Sequence, residues 1–185
     1  SLLIPQDASV SLHGVSHSQV LSDALELTEW GKIDYLVVDL PAGASDIFKT
    51  VINLLGDDLV GGVIVTLPHE IMVKRVIKLH LMNDIPIVGV IENMAKFKCP
   101  ECGAEFHLFG ESVIEQICRE LEVDYLGAIP LSHEISERVQ SGNPVIPDEL
   151  AEPIVNAVSK ITKMKKAGLL SKLKKKLGAG IRDFI

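Results

Sequence analysis

Short aliphatic runs alternate with segments of helical period along most of this 185-residue chain, and that alternation leaves few folds open. The runs are "YLVVD" (35–39), "VIVT" (63–66), "IPIVGVIEN" (85–93) and "YLGAIP" (125–130), with Leu2–Ile4 as a shorter one ended by Pro5. Most lack the apolar–polar alternation of a half-solvated strand, so they read as strands covered on both faces. Between them the helical period predicts helices over 16–29, 46–55, 69–82, 112–121, 132–140 and 148–166. Pro68 is placed in the first turn of the third helix, where its missing N–H costs nothing. Ile71, Val73, Val76, Ile77 and Leu81 supply that helix's buried stripe. Residues 95–109 read as irregular. Hydrophobic residues make up 47% of the chain and aromatics only 4%, which suits an aliphatic, Val/Ile/Leu-rich core. The expectation is an α/β fold, a doubly wound and mostly parallel sheet in one domain.

Three of these strands end in an acid or a polar turn: Asp39, Thr66 and the Glu92–Asn93 pair. In open α/β sheets ligands sit outside the carboxyl ends of the strands, so a site is expected along that edge. Asp39 closes a strand just before Pro41 and Gly43, with Ser45–Asp46 capping the next helix. A carboxylate in that position is the Walker B arrangement, fixed near the metal and phosphates of a bound nucleotide. Mg²⁺ needs only one or two well-placed carboxylates, and a glycine lets the backbone approach a γ-phosphate. The competing reading is an aspartate that caps a turn.

"KCPECG" is the second feature with chemistry in it. Its spacing lets Cys99 and Cys102 bind one metal centre, with Pro100 and Gly103 shaping the turn. One pair supplies two ligands, whereas clusters and structural zinc want four. A second copy of the chain can supply the others about a two-fold axis. Zinc within one chain would instead recruit His107 and Cys118, although Cys118 falls in a helical pattern that favours a buried free thiol. A redox pair is the third reading. Among the remaining histidines, His13, His17, His69, His80 and His133 show no ligand spacing and read as surface or satisfied core residues.

The net charge of −7 hides an asymmetry. Residues 160–185 carry nine of the eighteen Lys and Arg and a single acid, Asp183, which leaves residues 1–159 with nine bases against twenty-four acids. An acidic body poor in aromatics argues against nucleic acid as a partner. The tail around Leu169, Leu170, Leu173 and Leu177 reads as a basic amphipathic segment, either a solvated helix end or a membrane-surface element over 168–185. An odd cysteine count and no leader-like start argue for a reducing, cytoplasmic setting. The expected organisation is a nucleotide-binding α/β part over 1–160, with the cysteine segment at 95–109, and a tail over 161–185.

Taken in order, "WGKIDYLVVDLPAGASD" (30–46), "VIVTLPHE" (63–70), "IPIVGVIENMAKFKCPECG" (85–103), "YLGAIPLSHEI" (125–135) and "SGNPVI" (141–146) resemble successive blocks of the Mrp/ApbC family. These are P-loop ATPases of the MinD/ParA type that carry iron–sulfur clusters. The resemblance implies that Asp39 is the switch carboxylate and catalytic residue. Pro41, Gly43, Asn93 and Pro130 would line the nucleotide site, with Asn93 on the adenine. Cys99 and Cys102 would hold a [4Fe–4S] cluster across a homodimer for transfer to apo iron–sulfur proteins. ATP and Mg²⁺ are the implied cofactors, and zinc is the alternative metal. A membrane contact through the tail follows only by analogy with MinD-like proteins. Ala42 replaces the switch motif's second proline, and Ser132 replaces an aspartate. No G-x-x-x-x-G-K-[ST] occurs in these residues. The chain is therefore expected to be the carboxyl-terminal portion of the family fold, unable to hydrolyse ATP alone. The competing class is a MinD/ParA-like positioning or scaffolding ATPase with a structural zinc and a membrane-binding tail.

Overall fold

The computed structural model describes residues 17–41, 46–142 and 151–165. The chain divides into two compact units, residues 1–59 and 60–185.

In the first unit, helix α1 (His17–Leu27) lies against α2 (Asp46–Leu55). Phe48 and Val51, one turn apart, form the buried face of α2. A short 3₁₀ turn, Gly56–Asp58, follows α2. The indole N–H of Trp30 donates to the carbonyl of Leu25 at 3.0 Å, which satisfies one open acceptor at the end of α1. The expected strand at 34–39 is not a strand. The segment is extended without a ladder; Tyr35, Leu36 and Val37 are exposed, Val37 by 88%, and Val38 is half-buried. The physical reason is local. A strand exists through hydrogen bonds to a neighbour, and the described residues of this unit offer helices but no strand edge. Residues 2–4 lie outside the described residues.

The second unit carries the sheet. Strands β1 (Gly62–Thr66), β2 (Ile87–Lys98), β3 (Glu105–Phe106) and β4 (Tyr125–Leu131) are joined by α3 (Glu70–Met82) and α4 (Ile114–Glu120). Helices α5 (His133–Gln140) and α6 (151–165) follow. β2 is central, with β1 and β4 parallel to it on its two sides. β3 runs antiparallel to the end of β2 and pairs with it on the side away from β4, since Phe97 matches both Phe106 and Leu131.

Helices cover both faces of the sheet at β2 and β4, as parallel strands require, whereas β1 alternates, with Ile64 and Thr66 buried and Val63 and Val65 exposed. On one face, Ile64 and Val90 pack with Val73 and Ile77 of α3 and with Ile114, Ile117 and Cys118 of α4. On the other, Val88, Ile91 and Leu126 pack with Ala157, flanked by Ile161 and Met164, of α6. The Asn156 amide donates to the carbonyl of Leu126 at 2.9 Å and fixes α6 to β4. Each fully buried aliphatic side chain contributes about 1.5–3 kcal/mol. Gly89 lets β2 approach β4 closely, because a Cβ there would stand 2.7 Å from the Asp124 carbonyl. β1 has one open edge among the described residues, and Val65 on it is 60% exposed.

Helix ends follow one pattern. Asp84 and Glu122 sit in the left-handed region at φ +53° and +54° just past α3 and α4. The next residues, Ile85 and Val123, donate back to His80 and Cys118 at 3.0 and 2.9 Å. These are Schellman closures made without glycine, held by the burial of Ile85 and the packing of Val123.

Three further expectations need correction. Pro68 precedes the helix instead of sitting in its first turn: His69 is the N-cap, in extended backbone, and its carbonyl accepts the Val73 N–H at 3.2 Å. The buried stripe of α3 is Val73, Ile77 and His80, whereas Ile71 and Leu81 are more than half exposed. His80 is buried as a satisfied core residue, its Nδ1 lying 2.9 Å from the Val76 carbonyl. Finally, 95–106 is a hairpin, because Phe97 and Lys98 find ladder partners in Phe106 and Glu105.

Candidate functional site

The hairpin that closes β2 onto β3 turns through the cysteine pair. Its geometry comes from backbone bonds at the turn: Cys99 N–H donates to the Ala104 carbonyl and Gly103 N–H donates to the Cys99 carbonyl, both at 2.9 Å. Gly103 takes φ +72°, a conformation that favours glycine. Cys99 is half-buried and Cys102 exposed, so both thiols are reachable from outside the hairpin. Backbone N–H groups of Cys102 and Glu101, together with the Cys102 side chain, hydrogen-bond to Cys99 and hold its thiol below its ordinary value. A turn that aims amides at a sulfur favours thiolate, the form that binds metal.

Cys118 does not join this pair. It is 1% exposed in the core beside Ile114 and Ile117, where burial pushes its thiol up to about 11. His107 is exposed in the turn after β3. No group of three or more His, Cys, Asp or Glu side chains able to hold a metal ion occurs among the described residues. A single-chain zinc site from Cys99, Cys102, His107 and Cys118 is therefore not assembled.

The carboxyl edge of the sheet carries the second set. Thr66, Glu92 and Ala128 lie in register across β1, β2 and β4, and Asn93 follows opposite Ile129. Glu92 is 2% exposed, and its Oε2 accepts the Tyr125 hydroxyl at 3.0 Å. Its Oε1 is buried without a hydrogen-bond partner. Sequence reading noted Glu92 only as a polar strand end. The missed signal was parity, since Glu92 shares the buried face of Val90 two residues earlier.

Asn93 is followed by Met94 at φ +56°, unusual for a non-glycine residue, and the Met94 N–H donates to Asn93 Oδ1 at 3.0 Å. Because a backbone N–H can only donate, the amide orientation is fixed: Oδ1 faces Met94, and Nδ2 remains as a donor. Between Asn93 and Phe97 β2 advances four residues while β4 advances two, from Ile129 to Leu131. Pro130, the residue between them, has no N–H to give the ladder, so the bulge in β2 forms opposite it. Asn93 and Pro130 thus lie on neighbouring strands beside the bulge. Asp39 and Pro41 belong to the first unit, both exposed on its extended segment, and Gly43 lies outside the described residues.

A profile for ParA, described as NUBPL iron-transfer P-loop NTPase, matches residues 1–165. The chain belongs to that family. Among its relatives is an iron–sulfur cluster carrier protein of Methanocaldococcus jannaschii, 36% identical over 78% of this chain and 51% of the relative. Another, from Aquifex aeolicus, is 30% identical over 88% of this chain and 45% of the relative. The iron–sulfur cluster transfer protein NUBPL of Dictyostelium discoideum is 31% identical over 77% and 45%. The chain thus spans about half the length of these curated relatives. A solved nucleotide-binding protein from Archaeoglobus fulgidus, in complex with ADP, superposes with a TM-score of 0.58 at 27% identity. That match covers 71% of this chain and 56% of the other. The α/β architecture expected from the alternating runs is thereby that of the P-loop NTPase family.

Proposed function

We propose that this chain forms the metal-carrying and base-contacting part of an ATP-linked iron–sulfur cluster carrier. The observation that carries the reading is the Cys99–Cys102 turn, two accessible thiols with backbone amides directed at the first sulfur. Two thiolates complete half of a cluster's ligand set, so a [4Fe–4S] cluster would be shared by the hairpins of two chains. The cluster is cargo, delivered to apo iron–sulfur proteins. Names of the relatives, carrier and transfer proteins, support that class of activity.

The nucleotide would be ATP with Mg²⁺. Asn93 would contact the base and Pro130, on the neighbouring strand, would line the same site. Asp39 would position Mg²⁺ or the attacking water, and Pro41 and Gly43 would lie near the phosphates. The ADP of the Archaeoglobus fulgidus protein supports a nucleotide in this fold. Hydrolysis also needs a cradle of backbone amides and a lysine for the phosphates, and no such motif occurs in these 185 residues.

Anaerobic reconstitution with ferrous iron and sulfide tests the reading. The expected product is a dimer holding about two irons per chain, the stoichiometry of one four-iron cluster on two cysteine pairs. Cys102→Ser should lose both the iron and the dimer. Zinc at one per chain, with no iron taken up, refutes it.

A further inference from the structure

β2 runs from Ile87 to Lys98; it carries Asn93 just past the end of its pairing with β1 and leads directly into Cys99. Between the two stands the bulge. Three features set its shape: Pro130 opposite it, Met94 in the left-handed region, and Asn93 Oδ1 on the Met94 N–H at 3.0 Å. The bulge is also tied forward. Lys96 donates to both carboxylate oxygens of Glu105 at 3.0 and 3.1 Å, and Glu105 lies in β3, the return strand of the cysteine hairpin. A continuous series of contacts therefore runs from the Asn93 side chain through Met94 and Lys96 to the hairpin that presents the two thiols.

A non-glycine residue at φ +56° is disfavoured by about 1 kcal/mol or more and persists only where its surroundings hold it. The Met94 N–H bond to the Asn93 side chain is such a hold. We propose that Asn93 is a positioning residue for the metal-binding hairpin, its side-chain oxygen latching the Met94–Lys96 bulge and so setting where Cys99 and Cys102 sit. The inference deepens the function proposed above, because the same amide is the one assigned to the base. Asparagine pairs with adenine through both ends of its amide, oxygen to the amino group and nitrogen to a ring nitrogen. An adenine bound in that way shares the oxygen that holds Met94, so filling the nucleotide edge alters the latch.

The test compares wild type, Asn93→Ala and Asn93→Asp, the aspartate keeping an acceptor for the Met94 N–H while losing the donor. Amide hydrogen exchange is read at Cys99 and Gly103 in the hairpin and at Val65 and Ile91 in the β1–β2 ladder. Without nucleotide, Asn93→Ala should speed exchange in the hairpin about fivefold, the worth of one net hydrogen bond, and leave the ladder unchanged. Asn93→Asp should exchange as wild type does. Cobalt(II), followed by its thiolate absorbance, should bind Asn93→Ala about fivefold more weakly and Asn93→Asp normally. Unchanged hairpin exchange in Asn93→Ala overturns the latch, as does an Asn93→Asp variant that behaves like alanine. ADP binding separates the two readings: equal ADP affinity in wild type and Asn93→Ala removes the base contact, whatever the exchange experiment shows about the latch.

Discussion

Replacing Tyr125 by phenylalanine removes one oxygen atom and leaves a buried acid without help. Glu92 is 2% exposed, and one of its two carboxylate oxygens already has no partner. The other depends on the Tyr125 hydroxyl at 3.0 Å. A typical hydrogen bond contributes about 0.5–1.5 kcal/mol net, and a buried acceptor stripped of its partner bears a desolvation cost of about 1–3 kcal/mol. Tyr125→Phe should therefore destabilise the fold by about 2 kcal/mol, or about 4–8 °C in melting temperature for a chain of this size. Adding Glu92→Leu to Tyr125→Phe should recover part of that loss, since the pair then becomes apolar at both ends. The cycle through both single variants should show a coupling of at least about 1 kcal/mol. Urea unfolding at constant m-value measures all four proteins. Additive single effects, or a Tyr125→Phe loss below about 0.5 kcal/mol, would refute the claim that this contact satisfies the buried acid.

Two further outcomes follow from the core. Burial first, then the charges of Glu115 and Glu92, raise the Cys118 thiol from 9.0 to about 11, so the unfolded chain ionises first as pH climbs. Its contribution is complete below about pH 9 and lost towards about pH 11, and urea midpoints of wild type should fall more steeply over that window than those of Cys118→Ala. Gly89→Ala would press a methyl group to within 2.7 Å of the Asp124 carbonyl and 2.6 Å of Leu126 Cγ. Overpacking of that kind costs about 2 kcal/mol, readable in the same urea experiment.

The parts of this fold that sequence reading found are those where hydrophobic period and packing agree. "VIVT", "IPIVGVIEN" and "YLGAIP" became β1, β2 and β4 because α3, α4 and α6 cover both faces of the sheet at β2 and β4 and the Ile64 face of β1. "YLVV" has the same composition and did not become a strand, because apolar content expresses a need for burial while a ladder needs a partner. The continuation of β2 to Lys98 was hidden for the opposite reason. Lys96 and Lys98 look like loop residues, yet each lies opposite or beside Glu105 on the return strand. At the candidate site the cysteine pair was plain from spacing, and Asn93 and Pro130 from resemblance. The partnership of Glu92 with Tyr125 spans thirty-three positions, a separation that no local pattern encodes. The Asn93–Met94 contact is local, but its sign is a backbone angle rather than a residue type.

Among the described residues of its unit β1 has one unpaired side, and that has a practical consequence. Gly62–Thr66 contains no charge and no proline, the usual devices that discourage a bare strand from zipping onto another chain. At high concentration this chain should stick to itself through that margin, independently of any metal. Light scattering would register such clumps as readily as a cluster-bridged pair. A lysine placed at Val65 would disperse the former and spare the latter.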